Sequence, residues 1–355
     1  MSPQQKIDDL IEAGLTSGFF THSYVACGRF DEPASRYESQ RAAENPQSTI
    51  FDLASLTKAL VTGVLVHRML SRHKLSDETS MSQWPFDRSR LQLPAPFWDL
   101  RISALLGHYA GVPAWINFWM GHLNESSGSK TLEERATLIA RVLTRVPISL
   151  TKDEADLYSD VGYILLGSLL ELSEDRDLSQ QFDDFKLSIG VPSSTTLRYA
   201  VDGKRAQNQY ISTGFCALRQ RRLVGEVHDE NAAALGRIAG HAGLFGSGPD
   251  LINYLRALFR HPLGHSYLEA NHLARIQTHH EGLKGLRRGS GASAVLFAEG
   301  QSMGHLGFTG TAFWLHYETG RYGIWLSNRV ISGRISHQMQ DYRRQIFGYL
   351  HEILL

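Results

Sequence analysis

The chain has 355 residues, of which 42% are hydrophobic and 20% charged, with 36 basic residues against 36 acidic ones. That apolar content excludes a disordered chain and is enough for a sizeable core in one or two domains. The formal net charge of zero removes any bulk electrostatic basis for binding nucleic acid or an anionic membrane.

Along the chain, QQKIDDLIEAGL at 4–15 carries Ile7, Leu10, Ile11 and Leu15 at helical spacing and predicts an amphipathic first helix. FTHSYVACGRF follows, β-branched and aromatic, and reads as a strand. From Ser55 to about His73 the period is helical again, with Leu56, Leu60, Val61, Val64, Leu65 and Met69 on one side. The middle is mostly helical pattern broken by turn clusters, LPAP at 93–96, NESSGS at 124–129 and VPSS at 191–194. Strand signals return in GASAVLFAEG, in GFTGTAFWLHYE and in YGIWLSNRV, the last two joined by a short Gly-containing loop as in a hairpin. A closing helix is expected from about Ser336 to Leu354. Strands at both ends and helices between them predict one α/β domain built from 1–60 and 286–355, with a mainly helical domain inserted at 61–285 and the site at their interface. The N-terminus lacks the basic start and apolar stretch of a signal peptide, and no window approaches a membrane span, so a cytoplasmic protein is expected.

FDLASLTKAL at 51–60 places Ser55 and Lys58 one helical turn apart in an apolar run. Two accounts fit. The serine is a helix cap and the lysine snorkels; or the serine is a nucleophile at the positive end of a helix and the lysine, its pKa lowered by burial, accepts the proton. Two further stretches favour the second. LYSDVGYILLG at 157–167 offers Tyr158, Ser159 and Asp160 ahead of an apolar helix, and GHLGFTGTA at 304–312 offers His305 and Gly307 at the start of a predicted strand.

In this order the three segments resemble the serine β-lactamase and penicillin-binding-protein superfamily, and more closely its class C branch with the related esterases and D-amino peptidases. LLGHYAGVPAW at 105–115, GEVHDENAAAL at 225–235 and GHAGLFGSGPDL at 240–251 resemble further segments of these hydrolases, so the resemblance covers about residues 45–335. It implies an α/β (α+β) fold of the β-lactamase/transpeptidase type, an antiparallel sheet flanked by terminal helices plus a helical insertion. It implies that Ser55 is acylated, that Lys58 is its proton partner, and that Tyr158 is general base and acid, its phenol ionising beside the lysine below its free pKa of about 10. His305 and Gly307 would lie beside the substrate, and the backbone N–H groups of Ser55 and Phe308 would form the oxyanion hole. No metal or organic cofactor is implied.

Two positions depart from the family pattern. Asp160 stands where an Asn would donate to substrate; the acid can instead pair with Lys58, which would raise that lysine's pKa. His305 stands where many members have a lysine, and a mostly neutral imidazole suits a substrate carboxylate less well than a fixed cation. The expectation is a serine hydrolase of small esters or amides, D-amino-acid or muropeptide-like amides among them. Its rivals are a β-lactamase, a D,D-carboxypeptidase and, outside enzymes, a penicillin-binding sensor or scaffold without turnover.

The remaining tempting residues have plain accounts. Trp115, Phe118 and Trp119 could wall an apolar pocket, though their i, i+3, i+4 spacing equally describes core packing. His228, Asp229, Glu230 and His241 lack metal-ligand spacing and read as structural hydrogen bonding, with His241 near the rim of the site; His279, His280 and Glu281 read as a polar helix end. RQRRL at 219–223 reads as a solvated or ion-paired face. Cys27 and Cys216 exclude a disulfide framework and read as buried thiols.

Overall fold

A computed structural model describes residues 1–119, 129–145, 157–199, 207–269, 302–334 and 338–355. GASAVLFAEG, His279, His280, Glu281, most of NESSGS and the boundary expected at 286 lie outside the described residues.

The strands in chain order are β1 (His22–Arg29), β2 (Tyr37–Ala42), β3 (Phe51–Asp52), β4 (Arg198–Tyr199), β5 (Gly214–Cys216), β6 (Arg221–Leu223), β7 (Leu244–Gly246), β8 (Ser302–Leu306), β9 (Ala312–His316) and β10 (Arg321–Ser327). Five of them form an antiparallel sheet in the order β2-β1-β10-β9-β8, so its centre joins the two ends of the chain. Register is set by pairs such as Val25 with Trp325 and Cys27 with Gly323. The expected hairpin of GFTGTAFWLHYE and YGIWLSNRV is β9–β10. His305 and Gly307, expected at a strand's start, instead close one: His305 is the penultimate residue of β8 and Gly307 follows it.

Period-two alternation sends the two faces of this sheet into different cores. Val25, Cys27, Ala312, Trp314 and Trp325 pack with Ile7 and Ile11 of the helix Pro3–Thr16 and with Ile346, Phe347 and Leu350 of the helix Gln338–Leu354. Tyr24, Ala26, Phe313, Leu315, Ile324 and Leu326 face the larger core of the mainly helical middle. The three central strands are therefore buried on both sides, which is why β1 reads as a nearly continuous apolar run. Both cysteines are buried and free, and burial pushes the Cys27 thiol up to about 12. Among the described residues no helix is long and apolar enough to cross a membrane.

Two elements of the middle position the site. The helix Asp160–Glu174 is mostly apolar and buried from Val161 to Leu172, and its buried Glu171 pairs with Arg135 at 2.9 Å. Ser159 caps it, accepting from the Gly162 N–H at 3.1 Å. It packs so closely on the loop that carries His241 that a Cβ on Gly240 would lie 2.1 Å from the Tyr163 carbonyl and 3.0 Å from the Gly167 Cα. We predict that Gly240→Ala destabilises the fold by about 1–3 kcal/mol or more through overpacking. Thermal unfolding checks this; an unchanged Tm would mean that helix and loop separate without cost.

Candidate active site

Ser55 does not cap a regular helix. Leu53 to Lys58 form tight turns, with the Leu56, Thr57 and Lys58 N–H groups donating to the Leu53, Ala54 and Ser55 carbonyls at 3.1 Å. A π-helical turn over Lys58–Thr62 follows, and then the α-helix Gly63–His73. Ala54 holds φ at 48°, a left-handed conformation unusual for a residue with a side chain. Asp52, buried, accepts the Ala54 N–H at 2.9 Å on one oxygen and the His228 N–H at 2.7 Å on the other. Burial raises this carboxyl to about 6 against the pull of those two donors.

Lys58 has no exposed surface, and its ammonium meets three groups. It donates to the Ser55 Oγ at 3.0 Å and to the His241 carbonyl at 3.0 Å, and it forms an ion pair with Asp160 Oδ1 at 2.7 Å. Burial alone would lower its pKa; the charges of Asp160 and Tyr158 outweigh that and raise it. Of the two accounts open for this lysine, the structure favours the ammonium held by Asp160. Tyr158 sits with its ring centroid 5.0 Å from the ammonium, and Lys58 and Ser55 both act to lower the pKa of its phenol. The expected ionisation below 10 is corrected here. The phenol oxygen is enclosed, and burial pushes its pKa up by more than Lys58 lowers it.

The β8–β9 turn meets the serine turn edge to edge. Thr309 Oγ1 donates to the Asp52 carbonyl at 2.7 Å and Thr311 Oγ1 to the Leu53 carbonyl at 3.2 Å. Gly307 is required at the seam: a Cβ there would lie 2.0 Å from Thr311 Oγ1 and 2.9 Å from the Leu53 carbonyl. Among the described residues neither the Ser55 nor the Phe308 backbone N–H donates to a protein acceptor, and both residues line one cavity of about 390 Å³. His305 does not line it. At 1% exposure it lies behind Tyr158, ring centroids 6.0 Å apart, with Nδ1 on the Leu306 carbonyl at 2.8 Å. The expectation that it faces the substrate is corrected by the strand register, which turns its side chain into the protein.

Trp115, half exposed, is in the cavity wall with Leu306, Phe308 and Met339, whereas Trp119 is not. His228 and Asp229 line it too, the His228 ring 5.7 Å from the Phe308 ring. Asp229 caps the short helix Glu230–Ala234 and accepts from His241 Nε2 at 2.9 Å. Burial would raise its carboxyl, but His241, the Ala232 N–H and Lys58 outweigh that and hold it below the usual carboxylate range. Burial and the nearby Arg334 push His228 down to about 4, so it is neutral near pH 7. Among the described residues no group of three or more His, Cys, Asp or Glu is placed to hold a metal ion.

Three wall residues escaped the sequence reading: Arg329, Arg334 and Arg343. Arg329 and Arg334 stack over the Phe308 ring at 4.7 and 5.4 Å, and Arg343 donates to the Gly307 and Thr311 carbonyls at 2.7 and 3.0 Å. Their motif-free setting left no local signal. His108 was also missed as a support, although it lies in the quoted LLGHYAGVPAW: it accepts the Ser159 N–H at 3.0 Å and packs 4.5 Å from the Tyr158 ring.

A family model described as Beta-lactamase matches residues 31–346. The chain belongs to the Beta-lactamase family. It is 28% identical over 279 residues to the N-acetylmuramyl-L-alanine amidase of Bacillus subtilis (strain 168), covering 72% of this chain and 62% of that protein. It is 28% identical over 242 residues to a putative D-alanyl-D-alanine carboxypeptidase of Escherichia coli (strain K12), covering 61% and 53%. The chain thus spans 53–62% of the length of these relatives. Among solved structures it is similar to EstCE1, a hydrolase with promiscuous acyltransferase activity, with a TM-score of 0.65 at 16% identity over 98% of both chains. It is also similar to the simvastatin synthase LovD of Aspergillus terreus, with a TM-score of 0.63 at 14% identity over 99% and 98%, and to a penicillin binding protein of Bacillus halodurans, with a TM-score of 0.57 at 16% identity over 91% and 95%. These structural likenesses show the fold, which is the β-lactamase/transpeptidase-like one.

Within this family the Lys58–Asp160 pair makes a specific prediction. Lys58 and Tyr158 both hold their protons more tightly than free side chains do, so loss of one proton from the Ser55–Lys58–Tyr158 network occurs on the alkaline side and kcat/KM for an ester rises with pH towards it. Asp160→Asn removes the charge that raises Lys58, and the rising limb moves to lower pH. A pH–rate profile of both proteins checks this; a limb that stays in place would sink it.

Proposed function

We propose that this chain is a serine hydrolase that cleaves small esters or amides through an acyl-enzyme on Ser55. The observation carrying this reading is the hydrogen bond from the buried Lys58 ammonium to the Ser55 Oγ at 3.0 Å, with the Tyr158 ring 5.0 Å from that ammonium, at a cavity lined by Ser55, Tyr158 and Phe308. Lys58 donates to the Ser55 oxygen and holds it for attack. Once the network has lost a proton, Tyr158 takes the serine's hydrogen as Oγ bonds to the substrate carbonyl carbon. The Ser55 and Phe308 N–H groups receive the oxyanion. The intermediate then collapses, the leaving alkoxide or amine takes the proton from Tyr158, and acyl-Ser55 remains. Water attacks with Tyr158 again as base, releasing the acid and restoring the serine. His305 and His108 act behind the phenol, packing the Tyr158 ring in place. The apolar wall of Trp115, Leu306, Phe308 and Met339 supports a small apolar acyl group.

A second reading, a D,D-carboxypeptidase, is favoured by one observation. The argument from His305 held that a substrate carboxylate would lack a fixed cation, yet three guanidiniums stand in the cavity wall. The names of the carboxypeptidase and amidase relatives support amide cleavage in the same way.

Hydrolysis of p-nitrophenyl butyrate is expected from the native protein and, in Ser55→Ala, to fall by about 1,000-fold or more. Equal rates in both would end the reading of Ser55. Release of D-alanine from a short muropeptide at a rate comparable to ester turnover would favour the second reading, and comparable nitrocefin turnover a β-lactamase.

A further inference from the structure

The backbone before the nucleophile is strained, and one buried side chain accounts for how it is held. Ala54 sits at φ 48°, a region that costs energy for any residue bearing a Cβ. Ser55 follows it in the cavity wall, with its side chain on Lys58. The Ala54 N–H itself is taken by Asp52 Oδ1 at 2.9 Å. The other oxygen of Asp52 takes the His228 N–H at 2.7 Å. His228 also lines the cavity, and its loop is held by Arg219, which donates to the Val227 and His228 carbonyls, both at 2.7 Å. The backbone of Asp52 is in turn fixed by Thr309 Oγ1, from the turn that supplies Phe308. Through its carboxylate and its own carbonyl, Asp52 thus joins the three pieces that must keep register during acylation: the serine turn, the His228 loop and the Phe308 turn.

We infer that Asp52 is a positioning residue for acylation, holding Ala54 in its left-handed turn so that the Ser55 Oγ and N–H stay aligned with Lys58 and with Phe308. It touches no substrate and exchanges no proton in the reaction. This rests on the serine-hydrolase reading of Ser55, and it assigns the acid of FDLAS a task separate from that of Asp160.

The test is the rate constant for covalent labelling of Ser55 by a fluorophosphonate, followed by intact mass. Partial unfolding lowers the labelled fraction, whereas misalignment lowers the rate constant of the folded molecules. Asp52→Ala is expected to slow labelling by about 10–100-fold and to lower kcat for p-nitrophenyl butyrate, with KM changed less than about twofold. In an Ala54→Gly background, where the left-handed turn no longer opposes a side chain, the same substitution is expected to cost at least about threefold less. An equal loss in both backgrounds, a native labelling rate in Asp52→Ala, or an effect on KM alone would overturn the inference. Should Asp52→Ala fail to fold, Thr309→Val loosens the same anchor from its other end and is expected to slow labelling by about 3–10-fold; an unaltered rate there overturns the inference equally. A native protein that takes no label would sink the serine-hydrolase reading itself, so the two failures are distinguishable.

Discussion

A fully buried ammonium is the constraint on which this site depends. Lys58 loses all contact with water, and a cation in that setting persists only where fixed acceptors replace its hydration. Three segments far apart in sequence supply them: the serine turn offers Oγ, the loop at 241 offers a carbonyl, and the first turn of the Asp160 helix offers a carboxylate. The close approach at Gly240, the capped and buried helix behind Asp160 and the π-helical turn at Lys58 all bring those acceptors to one point.

Because one of the acceptors is an acid, the pair changes the charge state of the whole constellation. An amide at 160 would leave burial as the dominant influence on the lysine and favour the neutral amine. The carboxylate reverses that balance and keeps a positive charge beside Tyr158. That charge lowers the phenol's pKa, but less than enclosure raises it. The resting site therefore holds an ammonium and a neutral phenol, with the serine oxygen accepting from the first. On the mechanism we propose, activation requires the network to give up a proton, which places the demand for chemistry on pH and on whatever charge the substrate brings.

The cavity wall has a divided character that bears on substrate. Trp115, Leu306, Phe308 and Met339 make it aromatic and aliphatic; Asp229 and a neutral His228, whose ring lies 5.7 Å from that of Phe308, are polar; and the guanidiniums of Arg329, Arg334 and Arg343 stand around Phe308 and Gly307. Arg334 pairs with Glu230, whereas Arg329 and Arg343 donate to backbone carbonyls, which accept hydrogen bonds but neutralise no charge. The positive charge that a lysine in the third motif would have provided is present in this protein from different elements.

The amino-acid sequence by itself determined what depends on short-range spacing. Ser55 and Lys58 lie three apart and must share a face; the alternation in SYVACG and GIWLS must send side chains to two sides of a sheet; the apolar run after Asp160 must be a buried helix. The order of three such motifs was enough to recognise the family. Tertiary structure alone decided what depends on packing between distant segments. It turned His305 inward behind Tyr158, drew Asp160 rather than solvent to Lys58, raised the phenol that the family resemblance implied would ionise, and brought arginines from the end of β10 and from the last helix into the cavity. The direction of a side chain at a strand's end and the pKa of a buried group are set by neighbours tens or hundreds of residues away, and no local pattern encodes them.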